Sequence, residues 1–283
     1  MSKVPDGVDR DRLTITARKV LLDGLEALAS HRSAITVIGA QAVYLRTVNA
    51  ALRSAAFTSD GDLAIDPAVL GDEPLVDEAL VAAGFRLRNA DQPGLWVRSE
   101  VVGGGEVDIE LDILAGASLT TGGRAARIPP HGKMSVKKVP GIEVAVVDRS
   151  PVVVRSLAPE DVRSVEVAVA GPVALLVSKA FKIHDRLENA ANRPDRLVDK
   201  DAADVLRIMM TIPVREVATS FARLVRDPRV GSIAAGGLAL LRRQFGGADA
   251  AGVRMAVNAL AGDLDGERVR LLAPTYVRNL GER

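Results

Sequence analysis

The chain has no cysteine and only three histidines in 283 residues. Disulfides and cysteine-ligated zinc are thereby excluded, and the wide separation of His31, His131 and His184 argues against a histidine-rich metal centre. Any bound metal would be held by oxygen. Aromatic residues make up only 3% of the chain, too few for recognition of single strands by base stacking. Charge of either sign is also not in excess, with 37 Lys and Arg against 36 Asp and Glu, so a polyanionic partner would have to be read from local clusters. No apolar run reaches the roughly 18 residues of a membrane span. The opening segment "MSKVPDGVDRDR" is polar and carries no secretory pattern. A cytoplasmic protein with no membrane anchor is expected.

Hydrophobic residues make up 48% of the chain, ample for a core. Residues 11–32 have apolar positions at helical spacing, and "AITVIG" at 34–39 is a short β-rich run ending in glycine. A helix is expected to follow, over "AQAVYLRTVNAALR", with Val43, Leu45, Val48 and Leu52 available for burial. Then come a strand "FTSDGDLAI", a helix over 72–84, and strands "FRLRN", "LWVRSE" and "EVDIELDIL". Val-rich runs such as "IEVAVVDRSPVVV" and "VEVAVAG" predict further strands up to about residue 170, after which the pattern is helical. The expected fold class is α/β in the α+β sense: a mixed sheet with flanking helices over 1–170, then a helical domain over 171–283.

Two acidic patterns stand out. Asp60 and Asp62 flank Gly61 in a strand, so both carboxylates share one face with Cα atoms roughly 6 to 7 Å apart. Like charges that close repel, and a hard divalent cation would turn the repulsion into attraction. An EF-hand is excluded, because Ala64, Ile65 and Gly71 stand where a side-chain oxygen, glycine and glutamate are required. An Asp-x-Asp pair of the kind that holds a metal and sugar nucleotide in glycosyltransferases remains open. In "EVDIELDIL", Asp108, Glu110 and Asp112 alternate with Val107, Ile109, Leu111 and Ile113. This strand has one acidic face, turned either to solvent or, if it lies beside the Asp60/Asp62 strand, to a shared cation. Gly39 and Ala40 form a small-residue turn opening a helix, where free N–H groups suit phosphate. Between Ile113 and Ile142 there is no acidic residue, yet Arg124, Arg127, Lys133, Lys137 and Lys138 fall among glycines and prolines. Such a cationic, loop-like stretch suits a polyanion such as RNA, or simply solvent.

In order, "VIGAQAVYLR", "TSDGDLAI" and "LDIL" resemble the nucleotidyltransferase superfamily pattern of a glycine turn, an Asp-x-Asp strand and a third acidic strand. "SKAFKIHDR" and "DKDAADVLRI" further resemble the helical part of AbiEii/MenT-like toxins of type IV toxin–antitoxin systems. The resemblance implies a catalytic α/β domain and a helical domain completing its active site. Gly39, Ala40, Arg46, Thr58 and Ser59 would bind nucleotide, and Asp60, Asp62 and Asp112 would ligate Mg²⁺ or Mn²⁺. Lys179 would meet the triphosphate and Asp201 would support catalysis, with Glu110 as the rival third ligand. The implied reaction moves a nucleoside monophosphate from an NTP to an RNA hydroxyl, plausibly the tRNA 3′ end, inhibiting growth and countered by a separately encoded antitoxin. A small-molecule or protein acceptor, or non-catalytic nucleotide or RNA binding, are the alternatives.

Overall fold

The computed structural model describes residues 9–50 and 57–280. The chain is mixed α/β and folds as two compact units. The first comprises the chain through Leu45, Phe57–Pro140 and Arg149–Ala170; the second takes Gly141–Asp148, everything from Gly171, and the stretch that starts at Arg46. The last break between the units falls after Ala170, and two earlier segments belong with the helical unit.

The first unit begins with α1 (Arg10–Ala27), capped by the Asp9 side chain, which accepts from the Asp11 N–H at 2.7 Å. A short 3₁₀ turn leads to β1 (Ile35–Ile38), α2 (Gly39–Arg46), β2 (Asp60–Ile65), α3 (Val76–Ala82), β3 (Arg86–Leu87), β4 (Leu95–Val102), β5 (Gly105–Gly116), β6 (Lys137–Val139), β7 (Arg149–Arg155) and β8 (Ser164–Ala170). The sheet order is β3-β4-β5-β2-β1-β8-β7, with β6 on β5. Parallel β2–β5 and β1–β8 pairs alternate with antiparallel neighbours, so the sheet is mixed. Leu13, Ala17, Val20, Leu21 and Leu25 of α1 are buried, and the helix packs against β2, β4, β5 and β8. A Cβ on Gly24 would stand 2.4 Å from Leu111, so this glycine lets the helix backbone approach the sheet. Gly61, Leu63, Leu111 and Ile113 are buried. Gly61 and Leu111 meet Leu21 and Gly24, which leaves the alternating carboxylates on the opposite face.

Several local expectations change. The helix after the glycine turn ends at Arg46, and Val48 is 80% exposed instead of buried; Leu52 lies outside the described residues. "IEVAVV" forms a buried 3₁₀ turn over Glu143–Val146 and not a strand, because a short fully buried run has no period to distinguish the two. The stretch 121–138 is more ordered than a loose loop. Lys137 and Lys138 pair in register with Leu114 and Ala115, and Trp96 Nε1 donates to the Ser135 carbonyl at 3.0 Å. Gly94 sits where β4 leaves the edge of β5 and β6 takes over. Its φ is +67°, and a Cβ would stand 2.3 Å from the Ile113 oxygen and 2.4 Å from the Lys137 nitrogen, so only glycine fits.

The second unit contains α4 (Pro172–Glu188), α5 (Lys200–Thr211), α6 (Val214–Leu224), α7 (Gly231–Phe245), α8 (Ala251–Ala259) and α9 (Gly266–Asn279). Helix α4 packs on α5 and α7, and α9 on α5, α6, α7 and α8. Pro172 opens α4, where a missing N–H is harmless, and the Asp148 carboxylate accepts from the Ala174 N–H at 2.8 Å. Burial pushes the Asp148 carboxyl above its usual range, opposed by bonds from the Ala174 and Val173 amides. Gln244 Nε2 donates to the Ala180 carbonyl at 2.9 Å, tying α7 to α4.

Candidate functional site

Register decides what the acidic strands can do. In the parallel β2–β5 pair Asp62 lies beside Asp112 and Asp60 beside Glu110. Neighbouring strands are about 4.8 Å apart, so all four carboxylates rise from a small area of one sheet face. They are not equivalent. Arg88 forms an ion pair with Glu110, and Arg86 binds both oxygens of Asp108 at 2.8 and 2.6 Å. The Ser99 hydroxyl also donates to Asp108 at 2.7 Å; this bond, with Arg86, holds the Asp108 carboxyl below its usual range. Asp108 and Glu110 are thus each matched to an arginine, and Asp112 stands in line with Asp62.

On its other side Asp62 meets the start of α2. Ile38 is its register partner on β1, and the next residue, Gly39, has φ +71°. A Cβ on Gly39 would stand 1.9 Å from Asp62 Oδ2, so the carboxylate lies directly over the turn. Ala40 is buried in the first turn of α2, where backbone N–H groups lack intrahelical partners. Thr58 is buried and its hydroxyl donates to Asp60 Oδ1 at 2.6 Å, which orients that carboxylate; Ser59 is half-buried next to it. Two positions not anticipated from sequence support this corner. Gln41 Nε2 donates to the carbonyls of Ala17 at 3.1 Å and Asp60 at 3.0 Å, while its Oε1 accepts from Arg18 Nε at 2.6 Å. The side chain thereby locks α1, α2 and the start of β2 together. Burial lowers the Arg18 pKa to about 10. A lone amide beside the Gly-Ala turn, and "FRLRN" mirroring "DIE" in alternation, were the available signals for Gln41 and for Arg86 and Arg88.

Among the described residues no group of three or more His, Asp or Glu side chains is closed up as a metal cage. Hard carboxylate oxygens on adjacent strands are what Mg²⁺ or Mn²⁺ takes, and the residues described at this corner include no histidine or sulfur donor.

The remaining expected residues belong to other elements. Arg46 ends α2 and belongs to the second unit; burial lowers its pKa, with the charge of Asp148 opposing. Lys179 is neither on an exposed helix face nor turned to solvent. It is 4% exposed, with Nζ 2.8 Å from Asp201 Oδ1 and 2.6 Å from Asp204 Oδ2. Lys182 lies 3.4 Å from Asp201, and Arg186 completes the cluster. Burial alone would lower the Lys179 pKa, but Asp201 and then Asp204 outweigh it and the net shift is upward. Asp201 likewise moves down, burial being overcome by Lys179, Lys182 and Arg186. This arrangement pairs the Lys179 ammonium with two carboxylates. Of the cationic stretch, Arg124, Arg127 and Lys133 are exposed around a cavity of about 630 Å³, while Lys137 and Lys138 are half-buried and Lys138 Nζ donates to the Gly122 carbonyl at 3.1 Å.

No family model, curated protein or solved structure matches the chain. No helix among the described residues is long and apolar enough to cross a membrane.

Proposed function

We propose that the protein is a nucleotidyltransferase, moving a nucleoside monophosphate from an NTP to an RNA hydroxyl at a tRNA 3′ end, to inhibit growth under control of a separately encoded antitoxin. One observation carries the reading: Asp62 lies over the Gly39 turn on one side and in register with Asp112 on the other. A phosphate-accepting turn and a line of carboxylates thus meet in one corner. Asp60, Asp62 and Asp112 would hold Mg²⁺ or Mn²⁺, which when bound would offset triphosphate charge and ease deprotonation of the acceptor hydroxyl. The N–H groups at Gly39 and Ala40 would donate to phosphate oxygens at the positive end of α2. Thr58 and Gln41 keep Asp60 and its strand in place. In the reaction the acceptor hydroxyl gives up its proton to solvent, its oxygen bonds the α-phosphorus, the bond to the bridging oxygen breaks, and pyrophosphate leaves with the displaced electron pair. Lys179 and Asp201 enter this reading as the ionic core joining α4 to α5.

The test is incubation of purified protein with each α-³²P-labelled NTP, Mg²⁺ and total RNA. Label on RNA that vanishes with chelator and in Asp62→Ala supports the proposal. Label on protein or on a small molecule would move the acceptor, and no metal-dependent turnover of any NTP would overturn the reading.

A further inference from the structure

The second unit carries a groove of about 690 Å³, lined by residues of α6 and α7 and by the residues Asn279 and Leu280 at the end of α9. Helix α6 has two adjacent stripes. Val217, Phe221 and Leu224 are buried in the unit, while Arg215, Ala218, Thr219 and Ala222 line the groove at i, i+3, i+4 and i+7, joined by Arg226 from the turn just after the helix. Leu238 and Arg242, four residues apart on α7, face it from the other wall. Among the described residues no acidic side chain lines it. Arg215, Arg226 and Arg242 are exposed and form no ion pair or side-chain hydrogen bond among the described residues. Val225 at the edge is 38% exposed.

We infer that this groove is a docking site for an acidic amphipathic helix of a partner protein. An apolar floor between two helix walls accepts apolar side chains projecting at i, i+3 or i+4, and i+7 from a third helix. Three arginines with no counter-charge among the described residues select carboxylates flanking that stripe, and arginine is over-represented at the energetic centres of interfaces. RNA fits less well, because the floor is aliphatic apart from Phe221, which is 1% exposed and offers no stacking face. The groove lies within one unit and shares no residue with the carboxylate corner, so it stands or falls independently of the proposed reaction.

Selection from a displayed library of random 16-residue peptides against the full chain, followed by fluorescence anisotropy of recovered peptides, tests the inference. Recovered sequences should be net acidic, with apolar residues at helical spacing. Their Kd should weaken at least tenfold on the Arg215→Glu/Arg226→Glu/Arg242→Glu chain, and again when Leu238→Asp is tested alone. The thermal midpoint of each variant serves as the control for folding. Recovery of no peptide, or of peptides that bind wild type and the triple variant equally, would overturn it. So would binding of a 20-residue poly(U) RNA that the triple variant loses while acidic peptides show no preference, since the arginines would then read phosphate.

Discussion

The carboxylate of Asp62 occupies the space that a side chain at Gly39 would need, with Oδ2 1.9 Å from the position of an added Cβ. The contact couples a strand-borne acid to a helix-opening turn held at φ +71°. Gly39→Ala should therefore be damaging twice. The left-handed backbone costs a residue with a Cβ about 1 to 2 kcal/mol, and the methyl group displaces the carboxylate. A fall of several degrees in the thermal midpoint, together with loss of NTP turnover larger than that of Ala40→Gly, is the expected outcome. Unchanged turnover in Gly39→Ala would detach the turn from the site.

The arginine pairing of β5 ranks its three acids. Asp112→Asn should reduce nucleotide transfer at least a hundredfold, since it removes the carboxylate in register with Asp62. Asp108→Asn should change transfer less than threefold, because that side chain is held by Arg86 and Ser99. Glu110→Gln should fall between them. Steady-state rates for the three variants check the order, and equal tolerance at 108, 110 and 112 would turn this face toward solvent.

The alternating patterns of β2 and β5, the spacing of leucines in α1 and the switch to helices after Gly171 were legible because they are local and periodic. Register was not: nothing within either strand says that Asp62 faces Asp112, since they are fifty residues apart and meet only by pairing. The same holds for Lys179, whose partners lie 22 and 25 residues further along. Taken helix by helix it reads as a surface or ligand-binding lysine, and only the packing of α4 on α5 shows it buried. Val48 failed in the opposite way, an apolar residue at plausible helical spacing left beyond the end of the helix.

Breaking the Lys179 cluster should unfold more than it inactivates. Lys179→Ala leaves two buried carboxylates sharing one site, a loss of about 3 to 5 kcal/mol by analogy with other severed buried pairs. Lys182, whose side chain is 51% exposed, should cost well under 1 kcal/mol when changed to alanine. The pH dependence follows from the directions of the shifts. Asp201 is lowered, so its contribution is present above the ordinary carboxylate value of about 4 and is lost as pH falls toward the depressed folded value. Lys179 is raised, so its contribution is full below the ordinary lysine value of about 10.4 and is lost only at pH above it. Urea midpoints should be flat in this respect between about pH 5 and 10 and fall below about pH 4. Asp201→Asn should be less stable at pH 7 and less sensitive to acid; an unchanged acid slope would remove Asp201 from the account.

The acceptor is where the proposed reaction is most open to test, and the structure changes which cations should be probed. Lys137 and Lys138 are half-buried on β6, and Lys138 is tied to the Gly122 carbonyl, so replacing them would disturb the fold of the stretch as well as its charge. Arg124, Arg127 and Lys133 are exposed around one cavity and can be removed with little cost to packing. If these three neutralise phosphates of a single-stranded acceptor end, their triple alanine variant should bind RNA more weakly. Its plot of log K against log salt should be shallower by roughly 2, at about 0.7 per contact. NTP affinity should barely change, because none of the three belongs to the Gly39–Asp62 corner. A small-molecule acceptor would leave no such salt signature, few phosphates being neutralised. RNA affinities measured for wild type and variant across several salt concentrations decide the matter: superimposable lines would remove this surface from RNA recognition and favour a small-molecule or protein acceptor.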